Sequence, residues 1–263
     1  MKKVLSLFFL LWMVHSASAA VKTEEVTYSA GGAKLTGFLA YDDALEGKRP
    51  GVLVVHEWWG HNEHARNRAK MLAGLGYTAL AVDMYGDGKF AAHPKDAGEF
   101  MNAAFANWEA SKEKFHAARK LLEGHETVDA GRIGGIGFCF GGAVLLRLSR
   151  GGEALSGVVA FHSALPGQPA VSWGQVKTPI LVINGADDGF LKPEQVAAFK
   201  KDMDDAGADF NYMSLPGVRH SYTNPQADEF SNKFELPALK YDAEADKRAW
   251  QSMQEFFGRV FGK

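Results

Sequence analysis

The chain has 263 residues, 46% hydrophobic and 23% charged, with a formal net charge of -2. That balance excludes a disordered or fibrous protein. Its scattered Lys and Arg residues leave no basic stripe for nucleic acid.

The chain opens on MKKVLSLFFLLWMVHSASAA: Lys2 and Lys3, an apolar run from Val4 to Val14, then small residues. This is the layout of a secretory signal peptide cut after Ala19 or Ala20, and the apolar run is too short to span a bilayer. Residues 1–19 are therefore expected to be a leader and 20–263 a single domain. That domain is expected to be secreted or periplasmic in a bacterium, monomeric, and free of the membrane after cleavage. The only cysteine is Cys139, so no internal disulfide can form.

EEVTYSAGGAKLTGFLAYD alternates apolar and polar residues around Gly31-Gly32, which predicts an antiparallel hairpin. Beyond Pro50 the pattern changes to continuous apolar runs: GVLVVH (51–56), YTALAVDMY (77–85), RIGGIGFC (132–139), LSGVVAFH (155–162), PILVIN (179–184) and DFNYMSL (209–215). Such runs mark strands buried on both faces of a parallel sheet. Between them, residues 65–75, 101–108, 115–122 and 196–203 repeat apolar side chains at helical spacing, and Trp250, Met253, Phe257 and Val260 share the face of a last helix. Alternating strands and helices predict an α/β fold with a mostly parallel sheet and helices on both faces. In such sheets chemistry sits at the carboxyl ends of the strands.

HEWWGHNEH (56–64) follows the first of those strands. A zinc-protease helix needs histidines four apart, yet Gly60 stands four after His56 and His61 comes one residue late, on a different face. A metal-dependent hydrolase built on His56, Glu57, His61 and His64 is thus a minor alternative. A non-catalytic binding protein on the same fold is another, and activity on a simple aryl ester discriminates it.

GIGFCFGGAVLL places Cys139 between a strand and a helix in the order G-x-C-x-G, a nucleophile elbow with sulfur in place of oxygen. Glycines two before and two after leave room for the sharp turn, and the helix N-terminus favours a thiolate and later an oxyanion. The elbow's partners must follow in the order acid, then histidine. NGADDGF offers Asp187 and Asp188 at one strand end, and GVRHSYTNP offers His220 at the next. Either aspartate could orient the base; Asp188, three residues after Gly185, is preferred.

VVHEWWG, ALAVDMYGDG, GFCFGG, NGADDGF and HSYTNP together resemble the dienelactone hydrolase family of α/β-hydrolases, over nearly all of the mature chain. The resemblance implies the α/β-hydrolase fold and a carboxymethylenebutenolidase-like activity on a small ester or lactone, with no cofactor or metal. It makes Cys139 the nucleophile, His220 the base and Asp188 its partner. Glu57 would accept the hydrogen bond of the resting Cys139 thiol. The backbone N–H groups of Trp58 and Phe140 would form the oxyanion hole, and Trp59, Tyr85 and Tyr222 are candidate pocket residues. The family's substrate-carboxylate arginines are absent from the matching places, which carry Asp87 and Asn224, while Lys89 and Arg219 lie only nearby.

Overall fold

The computed structural model describes residues 21–167 and 170–262. The expected leader, residues 1–19, lies outside them. The hairpin forms as β1 (Val21–Ala30) and β2 (Ala33–Asp42), turning at Gly31 and Gly32. Both glycines hold positive φ, 54° and 80°, as a two-residue hairpin turn requires.

The elements then alternate: β3 (Arg49–Val55), α1 (Glu63–Gly74), β4 (Thr78–Val82), α2 (Pro94–Ala106), α3 (Trp108–Glu123), β5 (Val128–Phe138), α4 (Phe140–Arg150), β6 (Gly157–Phe161), β7 (Ile180–Gly185), α5 (Pro193–Asp205), β8 (Phe210–Leu215), α6 (Ala227–Phe234) and α7 (Ala243–Phe261). One eight-stranded sheet results, in the order β1-β2-β4-β3-β5-β6-β7-β8. From β4 to β8 every neighbouring pair is parallel, whereas β1 and β2 add an antiparallel edge.

Burial explains the apolar runs. All seven residues of β3 are buried. Its side chains alternate between two cores: Val52 and Val54 pack with residues of α1 and α7 on one face, Leu53 and Val55 with residues of α3, α4 and α5 on the other. A residue at either position of such a strand meets only apolar partners, so period-two alternation vanishes. Among the described residues no helix is long and apolar enough to cross a membrane.

The chain leaves β3 toward β4 on one side and returns past it to β5 on the other. Ligands of open α/β sheets bind at the carboxyl end of such a reversal. Register sets what stands there. Val55 pairs with Gly137, so Glu57 and Cys139 each emerge two residues beyond a matched pair. Phe138 pairs with Phe161 and Phe161 with Ile183, which brings His162 level with them.

Candidate active site

Cys139 sits between β5 and α4 with φ 51° and ψ -111°. For a non-glycine residue this backbone is strained, and it persists only where the surroundings enforce it. Here they do. A Cβ on Gly137 would lie 2.4 Å from Gly141 C, and one on Gly141 would lie 2.2 Å from Val55 O. Only glycine lets the elbow close so tightly on β3. The Cys139 N–H donates to Phe161 O at 3.0 Å, tying the elbow to the neighbouring strand.

His220 is held on a loop after β8, where its N–H donates to Ala238 O (3.1 Å) and its carbonyl accepts from Lys240 N–H (3.0 Å). Its Nδ1 donates to Asp188 Oδ2 at 2.7 Å. Asp188 is 4% exposed, and its other oxygen accepts from Phe190 N–H at 2.9 Å. Asp187 is exposed. The aspartate that meets the histidine is therefore Asp188. Gly185 allows the approach, since a Cβ there would lie 2.1 Å from Val218 O.

Cys139 stands at the other side of the imidazole. Desolvation alone would depress the basicity of His220, but the Cys139 charge, hydrogen bonds to Asp188 and Cys139, and the Asp188 charge outweigh it and raise its pKa to about 10. The imidazole is thereby made a stronger base than a free histidine. The N–H groups of Phe140, first residue of α4, and of Trp58 donate to no acceptor among the described residues.

Glu57 follows β3 and is 1% exposed. Oε1 accepts from Ser221 Oγ (2.9 Å) and Oε2 from Asn224 Nδ2 (2.5 Å). The donors that engage the Glu57 carboxylate are thus Ser221 and Asn224, where a hydrogen bond from the Cys139 thiol was expected. Burial pushes the Glu57 carboxyl above its usual range, opposed by those two hydrogen bonds and the His220 and Arg68 charges.

The stretch His220 to Asn224 thus does several jobs in sequence. His220 meets Asp188, and Ser221, at φ 56°, turns its hydroxyl to Glu57. Thr223 Oγ1 lies 2.8 Å from His162 Nε2, and Asn224 returns to Glu57. Tyr222 is a correction. Expected in the pocket, it is fully buried with its hydroxyl donating to Ile183 O at 3.0 Å, a core residue behind the base.

The other expected pocket residues divide. Tyr85 donates its hydroxyl to Trp58 O at 3.0 Å and lies 5.4 Å, ring to ring, from Phe140. Burial raises its phenol pKa, and it packs against the same core as Cys139. Trp58 is half-buried, but Trp59 is 2% exposed and packs on Trp58, Phe230 and Phe234. Trp59 packs the loop against α6.

The histidines of the opening motif part company. His56 Nδ1 donates to Glu57 O at 2.6 Å, His61 Nε2 to Ala81 O at 3.2 Å and His64 Nε2 to Thr223 O at 3.1 Å. Burial holds His56 at about 4 and His64 at about 3, so both are neutral and structural.

Asp83 escaped the sequence analysis. One carboxylate oxygen accepts from Tyr85 N–H (3.0 Å) and Gly86 N–H (2.7 Å), the other from Thr36 N–H (3.0 Å) and Gly88 N–H (2.7 Å). An aspartate directly before a Gly-rich turn was the available signal. Lys89 pairs with Asp87 at 3.8 Å on the surface, and Arg219 donates to Pro237 O at 2.8 Å.

An eight-stranded α/β sheet with a strained elbow and a histidine–aspartate pair at its carboxyl edge defines an α/β-hydrolase. The chain belongs to the dienelactone hydrolase family, whose sequence profile matches residues 35–261. Protein usf of Aquifex pyrophilus is 27% identical over 237 residues, covering 88% of this chain and 96% of that one. A protein of Aquifex aeolicus, named provisionally as a carboxymethylenebutenolidase, is 26% identical over the same length and coverage. Among solved structures, a dienelactone hydrolase-like promiscuous phosphotriesterase from metagenomic libraries is 33% identical, with a TM-score of 0.86 over 92% of this chain and 99% of that one. A structure titled m3DLH is 34% identical, with a TM-score of 0.85 over the same shares. The protein is a hydrolase of this family.

Proposed function

We propose that the protein is an exported hydrolase that opens an ester or lactone by Cys-His-Asp catalysis through a thioester. The observation that carries this reading is a strained Cys139 facing an imidazole that Asp188 orients at 2.7 Å. The Cys139 thiolate attacks the carbonyl carbon, and the carbonyl electron pair moves onto oxygen. The N–H groups of Phe140 and Trp58 stabilise that oxyanion. Collapse breaks the bond to the alkoxide, which takes the proton of His220 and leaves as alcohol, or stays tethered when the substrate is a lactone. Neutral His220 then deprotonates a water that attacks the thioester, releasing the acid and restoring the thiolate–imidazolium pair.

Glu57 acts in this scheme as a guard. Turned toward Cys139 it would hold the thiol protonated and protected from oxidation; held by Ser221 and Asn224, it leaves the sulfur to His220. With Asp87 and Asn224 at the places where the family holds a substrate carboxylate with arginines, the substrate class favoured is neutral.

The test is hydrolysis of p-nitrophenyl acetate with and without one equivalent of iodoacetamide. Inactivation matched by loss of the single thiol supports the scheme, as does a folded Cys139→Ala protein without turnover. Full activity in Cys139→Ala ends it.

A further inference from the structure

His162 has no part in that scheme, yet its geometry is unusual. It follows β6 with φ 36°, a backbone that side-chain-bearing residues rarely adopt, and is fully buried. Its N–H donates to Ile183 O at 2.9 Å, and its Nε2 lies 2.8 Å from Thr223 Oγ1. Its Nδ1 is buried without a partner. A phenylalanine would fill the same space without an unsatisfied nitrogen, so apolar packing does not account for an imidazole there.

What the ring touches is the proposed base. The His162 and His220 rings lie 5.0 Å apart at 70°. Phe190, 54% exposed, meets the same His220 ring from the solvent side at 4.9 Å and 88°. His220 is thus clamped edge to face by two rings, and only the inner one carries a hydrogen bond that fixes its angle. That bond ends on Thr223, on the stretch that also delivers His220 and the two donors to Glu57.

We propose that His162, anchored by the Thr223 hydroxyl, is a positioning residue that holds the His220 imidazole at the angle needed to exchange a proton with Cys139. The inference rests on the Cys-His-Asp reading and deepens it. The charged or titratable groups around His162 are His220 and Tyr222 beyond β8, with Asp188 behind His220, and His64 and Arg68 on α1, the latter held by Asp246 of α7. Burial first, then the His220, His64 and Arg68 charges, keep His162 neutral. It therefore adds no second positive charge beside the imidazolium.

Thr223→Val removes the hydroxyl at constant shape, Thr223→Ser retains it, and His162→Phe keeps a ring without nitrogen. In each variant kcat and KM for p-nitrophenyl acetate are measured against pH, together with the iodoacetamide rate at Cys139 and the melting temperature. Thr223→Val and His162→Phe are expected to lower kcat by roughly ten- to a hundredfold, the scale of a small misplacement of a reacting group, with KM little changed. The acid limb of Cys139 alkylation should move to higher pH, because a misaligned imidazole stabilises the thiolate less. Thr223→Ser should recover most of the loss, and the double variant Thr223→Val with His162→Phe should lose no more than either alone. Wild-type kcat and an unmoved alkylation profile in folded Thr223→Val would overturn the proposal, as would additive losses in the double variant. If His162→Phe does not fold, the Thr223 pair decides the matter. Full turnover by Cys139→Ala would instead strike the underlying reading, so the two failures are distinguishable.

Discussion

Asp188→Asn probes the proposed base through a single atom. In the native site Asp188 Oδ1 accepts from Phe190 N–H at 2.9 Å, and Oδ2 accepts from His220 Nδ1 at 2.7 Å. An asparagine keeps its oxygen on the Phe190 amide, since two donors cannot face each other, and so turns its NH2 toward His220. Nδ1 must then accept, and the neutral imidazole carries its proton on Nε2, the nitrogen that has to receive one from Cys139. The same tautomer error in a serine hydrolase triad costs about 10⁴ in kcat. We expect about 10³ to 10⁴, or about 4 to 5.5 kcal/mol of barrier at 1.36 kcal/mol per decade. Stability should fall by less, about 1.5 to 3 kcal/mol for a charge-assisted hydrogen bond. Asp187→Asn, on the exposed neighbour, is the control. Steady-state kinetics on p-nitrophenyl acetate with parallel thermal melts separate the two effects. Turnover in Asp188→Asn within a few-fold of wild type, or a larger loss in Asp187→Asn, would refute the reasoning.

Glu57→Ala should make Cys139 alkylate faster in mildly acidic buffer without substrate while lowering ester turnover, and an unchanged alkylation rate in the folded variant leaves Glu57 a structural residue. Acid should unfold the protein through its buried imidazoles. In the unfolded chain His56 and His64 titrate near 6.5, but when folded near 4 and 3, so the unfolded state gains protons first and stability falls as pH drops from 6.5 through 4 toward 3. At about 1.4 kcal/mol per unit the pair opposes folding by several kcal/mol at the acid end, and a melting temperature flat across that window would contradict it. Neutral and anionic aryl esters of equal size should differ little in kcat/KM; a strong anionic preference would show that Lys89 or Arg219 reaches the substrate.

The centre of the sheet was legible because β3, β4, β6 and β7 are buried on both faces, although the edge strand β8 is half-exposed despite its apolar run, and the elbow because its glycines answer a steric demand that no other residue meets. Less of the surroundings could be read. Asp187 and Asp188 are adjacent, and only burial separates them. α6 is eight residues of mixed polarity, too short for a periodic signal. α2 begins well before its apolar residues, capped by His93, whose Nδ1 accepts from Lys95 N–H, where Ser, Thr, Asp or Asn would be the usual sign. Tyr222 was misplaced and Ser221 unnoticed for one reason. The positive φ at Ser221 breaks the alternation from which side-chain direction is read. His162 was in view at a strand end, but its contact with His220 depends on a register that no single sequence discloses.

Because base, guard donors and inner anchor ride on five successive residues, His220 to Asn224, this stretch is closed to change in length and leaves room for exchange at its last position alone. Exchanging Asn224 for another donor would retune how firmly Glu57 is held while the backbone carrying His220 stays put. Losing one residue would swing every later side chain to the wrong partner at once. A designer seeking new substrates therefore has a dial at Asn224, and should place insertions in other loops.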